Sequence, residues 1–469
     1  MEIELLGATR EVTGSCFLLR VGDQRVLLDC GLIQGRQEDE DRNREPFPFD
    51  VDSIDAVVLS HAHLDHSGRI PLLVKRGFAG PVFCQKATKD LCHIMLQDAA
   101  YLNEKEAEWT NRKRERKGQD LVEPLYDREQ AAAALDNFRG FDYDREIDVV
   151  PGVTIRFRDA GHILGSTIVE VWAEEGDMRR KVVFSGDLGH RDAPILRDFT
   201  PIEDADLVLM ESTYGDRRHR SWDETREELR QIFNSASHER GNVLIPSFAV
   251  GRAQDLLYLM AKHFDEWHLK NWDIYLDSPM AIEATRVYAR HHELYDEEAQ
   301  QMWHENAETP LLPNLHMSKD TEESMALNDR KAGAIIIAGS GMVTGGRIKH
   351  HIKHHAWRPN THIMIVGFQA RGTPGRALVD GAKDLRLWGE EIRIAARVHT
   401  IGGLSAHADQ EGLTEWYGAF KDHPPIVLVH GEPDAMESLA GRLRKQHKAR
   451  VMISAYGAVI DLARPERFK

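Results

Sequence analysis

The chain has 469 residues, enough for two or three domains with well-buried cores. Its 42% hydrophobic and 29% charged residues are a globular balance, which excludes a disordered, collagenous or disulfide-scaffold protein. The formal net charge of −16 argues against a uniformly basic nucleic-acid coat, so any phosphate-binding site would need a local basic groove or a metal centre.

The opening residues, Met1 to Leu6, offer no basic segment followed by an apolar one, and no run approaches the ~18 apolar residues of a membrane span. Neither a signal peptide nor a membrane partner is expected. Cys16, Cys30, Cys84 and Cys92 form no C-x-x-C pair and read as buried thiols in a reducing compartment, the cytoplasm. Short apolar runs then recur, each ending in a loop of small or polar residues. Residues 25–29 lead into Cys30-Gly31, 55–59 into Ser60-His61, 182–184 into Ser185-Gly186-Asp187, and 207–210 into Glu211-Ser212. Further on, 243–245 lead into Pro246-Ser247 and a helix over 253–262, 334–338 into Gly339-Ser340-Gly341, 363–366 into Gly367, and 426–429 into His430-Gly431. Buried strands alternating with helices predict α/β layers, with functional residues in loops at the carboxyl ends of strands. Residues 101–148 are charged and helix-favouring. Their cluster of Arg112, Lys113, Arg114, Arg116 and Lys117 reads as a solvated helical face, as does the cluster from Arg442 to Arg450.

The densest chemical signal is Ser60-His61-Ala62-His63-Leu64-Asp65-His66-Ser67-Gly68, which follows a strand and precedes a helical pattern. An H-x-H-x-D-H loop can send His61 and His63 to one metal and Asp65 and His66 to another. His162, in Asp159-Ala160-Gly161-His162, and Asp187, in Ser185-Gly186-Asp187, follow in comparable settings, and the Asp187 carboxylate can bridge two ions. Nitrogen and oxygen donors without thiolate suit zinc, with iron or manganese less favoured. Asp29, in Leu28-Asp29-Cys30-Gly31, would fix the orientation of a ligating side chain.

With these motifs the chain resembles the metallo-β-lactamase superfamily, whose H-x-H-x-D-H loop carries a binuclear zinc site. In its small hydrolases a further histidine near the C-terminus completes the second metal. Here more than two hundred residues with their own α/β pattern separate Asp187 from the next candidate, which looks like an inserted domain. The insert is similar to that of the β-CASP nucleases, which include ribonuclease J and the endonuclease subunit of the pre-mRNA 3′ cleavage machinery. Their three added motifs match Glu211 in Glu211-Ser212-Thr213-Tyr214-Gly215, His407 in Ser405-Ala406-His407-Ala408-Asp409, and His430 in Val429-His430-Gly431-Glu432. The likeness extends to Pro246-Ser247-Phe248-Ala249-Val250-Gly251-Arg252, to Tyr275-Leu276-Asp277-Ser278-Pro279-Met280-Ala281, to Gly339-Ser340-Gly341-Met342 and to Gly372-Thr373-Pro374-Gly375-Arg376. The DNA-processing branch typically has valine at the third position, so His430 favours RNA. The chain looks most like the compact bacterial members, without the long C-terminal domain of ribonuclease J or the N-terminal KH domains of archaeal relatives.

The resemblance implies an αββα sandwich from residues 1–213 and 385–469, with an inserted α/β domain over 214–384. It implies two zinc ions. His61, His63 and His162 would hold one; Asp65, His66 and His430 would hold the other; Asp187 would bridge. The expected activity is hydrolysis of single-stranded RNA to 5′-phosphate and 3′-hydroxyl ends, with a hydroxide bridging metals ~3.5–4 Å apart in line with the scissile bond. His407 would protonate the departing 3′-oxygen, with Glu211 holding and tuning it, and Asp65 and Asp187 count with the catalytic groups. The glycines around Ser340 and Gly341 could cradle a phosphate, and Lys349 opens a run, Lys349-His350-His351-Ile352-Lys353-His354-His355, that reads as a basic face near RNA. Stacking and backbone contacts would hold the strand. A homodimer is compatible with this reading. The competing expectation is a hydrolase of small esters or thioesters that uses the same metals under an inserted lid.

Overall fold

The computed structural model of the chain describes residues 1–35, 37–305, 312–370 and 372–467. They divide into two compact units. The first comprises Met1–Arg191, Asp198–Arg218 and His407–Lys469, and the second Asp192–Arg197 and His219–Ala406.

The first unit is a sandwich of two seven-stranded sheets. One runs in the order Val459–Asp461, Glu2–Leu5, Phe17–Val21, Gln24–Leu28, Ala56–Val58, Val82–Gln85, Phe138–Phe141. The other runs Val451–Ile453, Ile426–Leu428, Leu207–Met210, Met178–Phe184, Thr167–Glu175, Val153–Asp159, Glu146–Val150. Alternate residues of the strands point inward, as a period of two requires. Ile3, Leu5, Phe17, Leu19, Val26 and Leu28 meet Ile155, Phe157, Val169, Val171, Val182 and Phe184 in one apolar layer. Phe17 and Phe184 pack edge to face, their centroids 5.4 Å apart. Helices cover the outer faces. Leu413, Trp416, Met436, Leu439 and Leu443, from helices Gln410–Gly418 and Pro433–His447, pack on Val208, Met210 and Ile426. On the other sheet, helix Lys86–Glu115 lies against Val82–Gln85 and Phe138–Phe141. This long helix takes up only part of the segment 101–148 expected to be helical. After it come helix Arg128–Leu135 and strands Phe138–Phe141 and Glu146–Val150, where β-branched and aromatic residues alternate with charges. All four cysteines are buried and free.

The second unit is a six-stranded parallel sheet in the order Leu315–Met317, Asp273–Leu276, Ala334–Ala338, Val243–Pro246, His362–Ile365, Arg397–Thr400. Its central strands, Ala334–Ala338 and Val243–Pro246, are buried along their whole length because helices pack on both faces. The chain re-enters the first unit at His407, not near 385. Arg397–Thr400 adds the sixth strand to this sheet, and the hairpin Asp384–Leu387/Glu390–Arg393 puts Leu385, Leu387 and Ile392 into this unit's core.

The run from Lys349 to His355 is also corrected. Helix Ile348–His355 buries Ile348, His351, Ile352 and His355, one face at helical spacing, so two of the six basic side chains of the expected face, His351 and His355, are core. His351 Nε2 meets Asp277 Oδ2 at 2.6 Å and His355 Nε2 meets the Leu327 carbonyl at 3.1 Å. The expected phosphate cradle is partly closed as well. Ser340 N–H donates to the Gly345 carbonyl (3.2 Å), and Gly345 N–H donates to Ser340 Oγ (3.1 Å). Lys349 Nζ is 3.4 Å from the Thr344 carbonyl and 4.7 Å from the centre of the Trp388 ring.

Candidate metal centre

Strand Ala56–Val58 is wholly buried between its neighbours and delivers the loop from Ser60 to His63 and the short helix Leu64–Ser67 at its carboxyl end. The segment at Gly31 crosses this helix so closely that a Cβ there would lie 1.6 Å from the Asp65 carbonyl oxygen; only glycine fits. His162 comes from the loop before strand Thr167–Glu175, Asp187 from the loop after Met178–Phe184, and His430 from the loop after Ile426–Leu428. Asp29 and His430 both sit in the left-handed region, with φ of 61° and 49°. For a non-glycine residue this costs of order 1–3 kcal/mol and persists only where the surroundings hold it.

Two groups of donor atoms converge. His61, His63, His162 and Asp187 form one, and Asp65, His66 and His430 the other. In the first, His61 Nε2 and His162 Nε2 each lie 3.2 Å from His63 Nδ1, and 3.5 and 3.6 Å from Asp187 Oδ2. In the second, His430 Nε2 is 3.3 Å from both His66 Nε2 and Asp65 Oδ2. Asp187 Oδ2 is 3.4 Å from His66 Nε2, so one carboxylate borders both groups. A tetrahedral ion with metal–nitrogen distances of about 2.0–2.1 Å spaces its ligands roughly 3.3 Å apart, so these edges fit a divalent metal. Asp187 Oδ1 is moreover buried with no hydrogen-bond partner among the described residues. An unsatisfied buried carboxylate oxygen is costly unless something electropositive meets it. These clusters mark a divalent-metal site.

Protonation suits ligation at His61 and His63. Burial, reinforced by the neighbouring His66, holds His61 far below the usual imidazole range, and burial brings His63 down to about 4. Both are then neutral near pH 7, the form that binds metal. Burial opposes ionisation of Asp187 and Asp65, but the surrounding histidines overcome it and hold both well below the usual carboxylate range. Asp29 Oδ2 meets His66 Nδ1 at 2.6 Å and accepts from Ser15 Oγ (3.0 Å) and Ser60 Oγ (2.9 Å), while Ser60 N–H donates to Oδ1 (2.8 Å). That cradle leaves His66 Nε2 turned to the donor group.

His407 lies beside this arrangement. Its Nδ1 is 3.2 Å from Glu211 Oε1 and 3.9 Å from Asp187 Oδ2. Burial alone would lower its pKa, but the two carboxylates outweigh it and raise it to about 9. Glu211 is fully buried and itself pinned, because Leu188 N–H donates to Oε1 (2.8 Å) and Thr213 N–H to Oε2 (3.2 Å). Glu211, Asp187 and His430 also converge as a third possible ligating trio. Sequence reasoning missed Thr213, Ser15 and Ser60. Thr213 Oγ1 is 3.1 Å from His430 Nδ1 and turns the other ring nitrogen toward Asp65 and His66. Ser340, Gly341 and Lys349 belong to the second unit.

Three family models match the chain: "Metallo-beta-lactamase superfamily" over residues 9–236, "Beta-Casp domain" over 253–378, and "Zn-dependent metallo-hydrolase RNA specificity domain" over 391–454. A curated protein, Ribonuclease TTHA0252 of Thermus thermophilus, is 39% identical over 458 residues, which cover 97% of this chain and 99% of the relative. The chain belongs to the β-CASP family of metallo-β-lactamase hydrolases. Transcription termination factor FttA of Methanosarcina mazei is 30% identical over 96% of this β-CASP chain and 69% of the relative. A crystal structure of a protein of unknown function from Enterococcus faecalis V583 matches with a TM-score of 0.53 at 16% identity, covering 98% of this chain and 99% of that one, a likeness of fold alone. As a β-CASP protein with this donor set, the chain is a metal-dependent hydrolase. No helix among the described residues is long and apolar enough to cross a membrane.

Proposed function

We propose that this β-CASP protein is a zinc-dependent ribonuclease of the cytoplasm that hydrolyses single-stranded RNA to 5′-phosphate and 3′-hydroxyl ends. The observation that carries this reading is the His407–Glu211 pair beside Asp187, because a buried acid partner for a histidine outside the two donor groups is what a poor alkoxide leaving group requires. Hydrolysis of an activated small ester needs no such pair. The 39% identical relative, itself named a ribonuclease, supports RNA as the substrate.

His61, His63 and His162 would hold one zinc ion and Asp65, His66 and His430 a second, with Asp187 between them. Bound there, the ions would polarise the phosphate and supply a nucleophile at neutral pH. Asp29 orients His66, and Thr213 orients His430. Glu211 accepts from His407 Nδ1, which fixes the tautomer and leaves Nε2 to carry the proton for the departing 3′-oxygen. Raised to about 9, the imidazole carries that proton at neutral pH.

The test is RNA of defined length labelled at either end, incubated with purified protein, with the early products sized and their ends mapped. Fragments bearing 5′-phosphate and 3′-hydroxyl ends are expected, together with about two zinc ions per chain if both donor groups fill. Turnover of a generic thioester with RNA left intact would replace this reading by the small-ester one.

A further inference from the structure

The second unit presents an aromatic pair that the reaction above does not use. In its parallel sheet, strands Val243–Pro246 and His362–Ile365 are neighbours, and both end at the carboxyl edge, where open α/β sheets take ligands. Phe248 follows the first strand and Phe368 the second. Most large apolar side chains of the chain are buried, yet these rings are 37% and 43% exposed. Phe248 is not loose. A Cβ at Gly341 would lie 2.8 Å from its ring, and one at Gly367 3.3 Å, so the ring rests against glycine backbone. Gln369, itself buried, ties those two backbones together. Its Nε2 donates to the Gly341 carbonyl (2.9 Å) and to the Gly367 carbonyl (3.2 Å). The result is a flat, pre-positioned ring backed by protein and open to solvent.

Charge identifies what the rings receive. Among 76 Asp and Glu residues in the chain, none falls within 246–252, 339–349 or 366–376, the segments that carry and surround the rings. Lys349 lies in them instead; Arg252, Arg347 and Arg376 lie there too, each ion-paired with a carboxylate from outside the segments, Asp255, Asp277 and Asp380. Exposed rings beside Lys349, with the neighbouring carboxylates already bound to arginines, fit a polyanion that carries flat bases better than an acidic or purely apolar surface.

We propose that Phe248 and Phe368 form a base-stacking platform for single-stranded RNA on the second unit, an inference that rests on the ribonuclease reading. Stacking needs no base-specific hydrogen bond, so the platform grips any sequence. Because Phe248 is already held, little side-chain freedom is lost on binding.

The test uses the full-length protein with Phe248→Ala, Phe248→Leu, Phe248→Trp and the same three changes at Phe368. Binding of fluorescent oligoadenylate is followed by anisotropy, and KM and kcat are measured for its cleavage. Each alanine variant should raise KM and Kd by about 5–100-fold with kcat little changed, the range expected for loss of one base–aromatic stack. Leucine, which keeps apolar volume but has no π face, should behave like alanine, and tryptophan should retain affinity. An RNA with an abasic residue at the stacked position should bind the wild type weakly and the alanine variant no worse. Melting curves show which variants are folded; if alanine unfolds the unit, the leucine and abasic arms still decide. Wild-type affinity in the leucine variants, or an abasic penalty that is undiminished in the alanine variants, would overturn the platform. Absence of RNA cleavage by the wild type would instead overturn the ribonuclease reading on which it rests.

Discussion

His407 and His430 both border Asp187, yet their nitrogens face different partners. His430 Nε2 points to Asp65 and His66, and His407 Nδ1 points to Glu211. Their alanine variants should therefore fail differently. His430→Ala should lose or weaken one metal, as read by elemental analysis after dialysis. His407→Ala should keep its metal and its RNA affinity and cleave about 10²–10⁴-fold more slowly, the usual contribution of a general acid. An RNA whose scissile 3′-oxygen is replaced by sulfur has a leaving group that needs less protonation, so it should restore much of the rate to His407→Ala and little to His430→Ala. Equal deficits for both variants on both substrates would remove His407 from the proton-transfer role. Thr213 acts one step further out. Thr213→Val keeps the shape and removes the oxygen 3.1 Å from His430 Nδ1, and should lower metal affinity about 10–100-fold in a chelator competition. The histidines and aspartates were legible in the sequence because H-x-H-x-D-H packs four donors into six positions. Thr213, Ser15 and Ser60 were not. Hydroxyls are common everywhere, and Thr213 meets a partner 217 positions away in the chain.

At the scale of elements, the second unit is fastened by a buried carboxylate. Asp277 is fully buried at the end of strand Asp273–Leu276. It receives Arg347 Nη1 at 2.8 Å, Ser324 Oγ at 2.7 Å and His351 Nε2 at 2.6 Å, which join helix Ile348–His355 to the sheet. Burial raises its pKa, but the hydrogen bonds from His351 and Ser324 and the charge of Arg347 hold it below the usual carboxylate value. Asp277→Asn leaves Arg347 without a counter-charge and should cost about 3–5 kcal/mol in denaturant unfolding at neutral pH. The sign of the pH dependence follows from the depressed pKa. The contribution of Asp277 is complete above its unfolded value near 4 and is lost as pH falls toward the lower folded value. The gap between wild type and Asp277→Asn should therefore narrow on acidification below about pH 4; a gap that widens there would mean the carboxylate is not stabilised as an anion. The strands of this unit were readable as short apolar runs, and the helix as a 3.6-residue spacing. Its polarity was misread, because a histidine at a core position looks basic in sequence and becomes internal only when a partner such as Asp277 arrives from 74 residues away.

At the scale of the molecule, the metal centre is assembled from distant stretches of one unit, while the other unit has a core of its own. The donors lie at 61–66, 162, 187 and 430, all within the first unit, and the described residues between 219 and 406 contribute none. The order of motifs made an insertion readable, but not its end. Residues 384–400 carry charged, half-exposed strands whose patterns give a weak periodic signal, so the return to the first unit at His407 became visible only through their pairing in the second sheet. This division predicts how the protein responds to loss of metal. An ion that binds the folded state alone stabilises it by about 4 kcal/mol at a thousandfold excess over its Kd. Chelation should withdraw that stabilisation from the unit that holds the donors. Without the ions, Asp65, Asp187 and five histidines face one another across distances of 3.2–3.8 Å. Hydrogen exchange followed in the presence and absence of chelator should thus show lost protection around Ala56–Val58, Leu207–Met210 and Ile426–Leu428. Val243–Pro246 and Ala334–Ala338, buried in a separate apolar core, should keep theirs. Uniform loss across both sets of strands would mean that the two units unfold as one, and that the second unit's stability depends on the metal centre of the first.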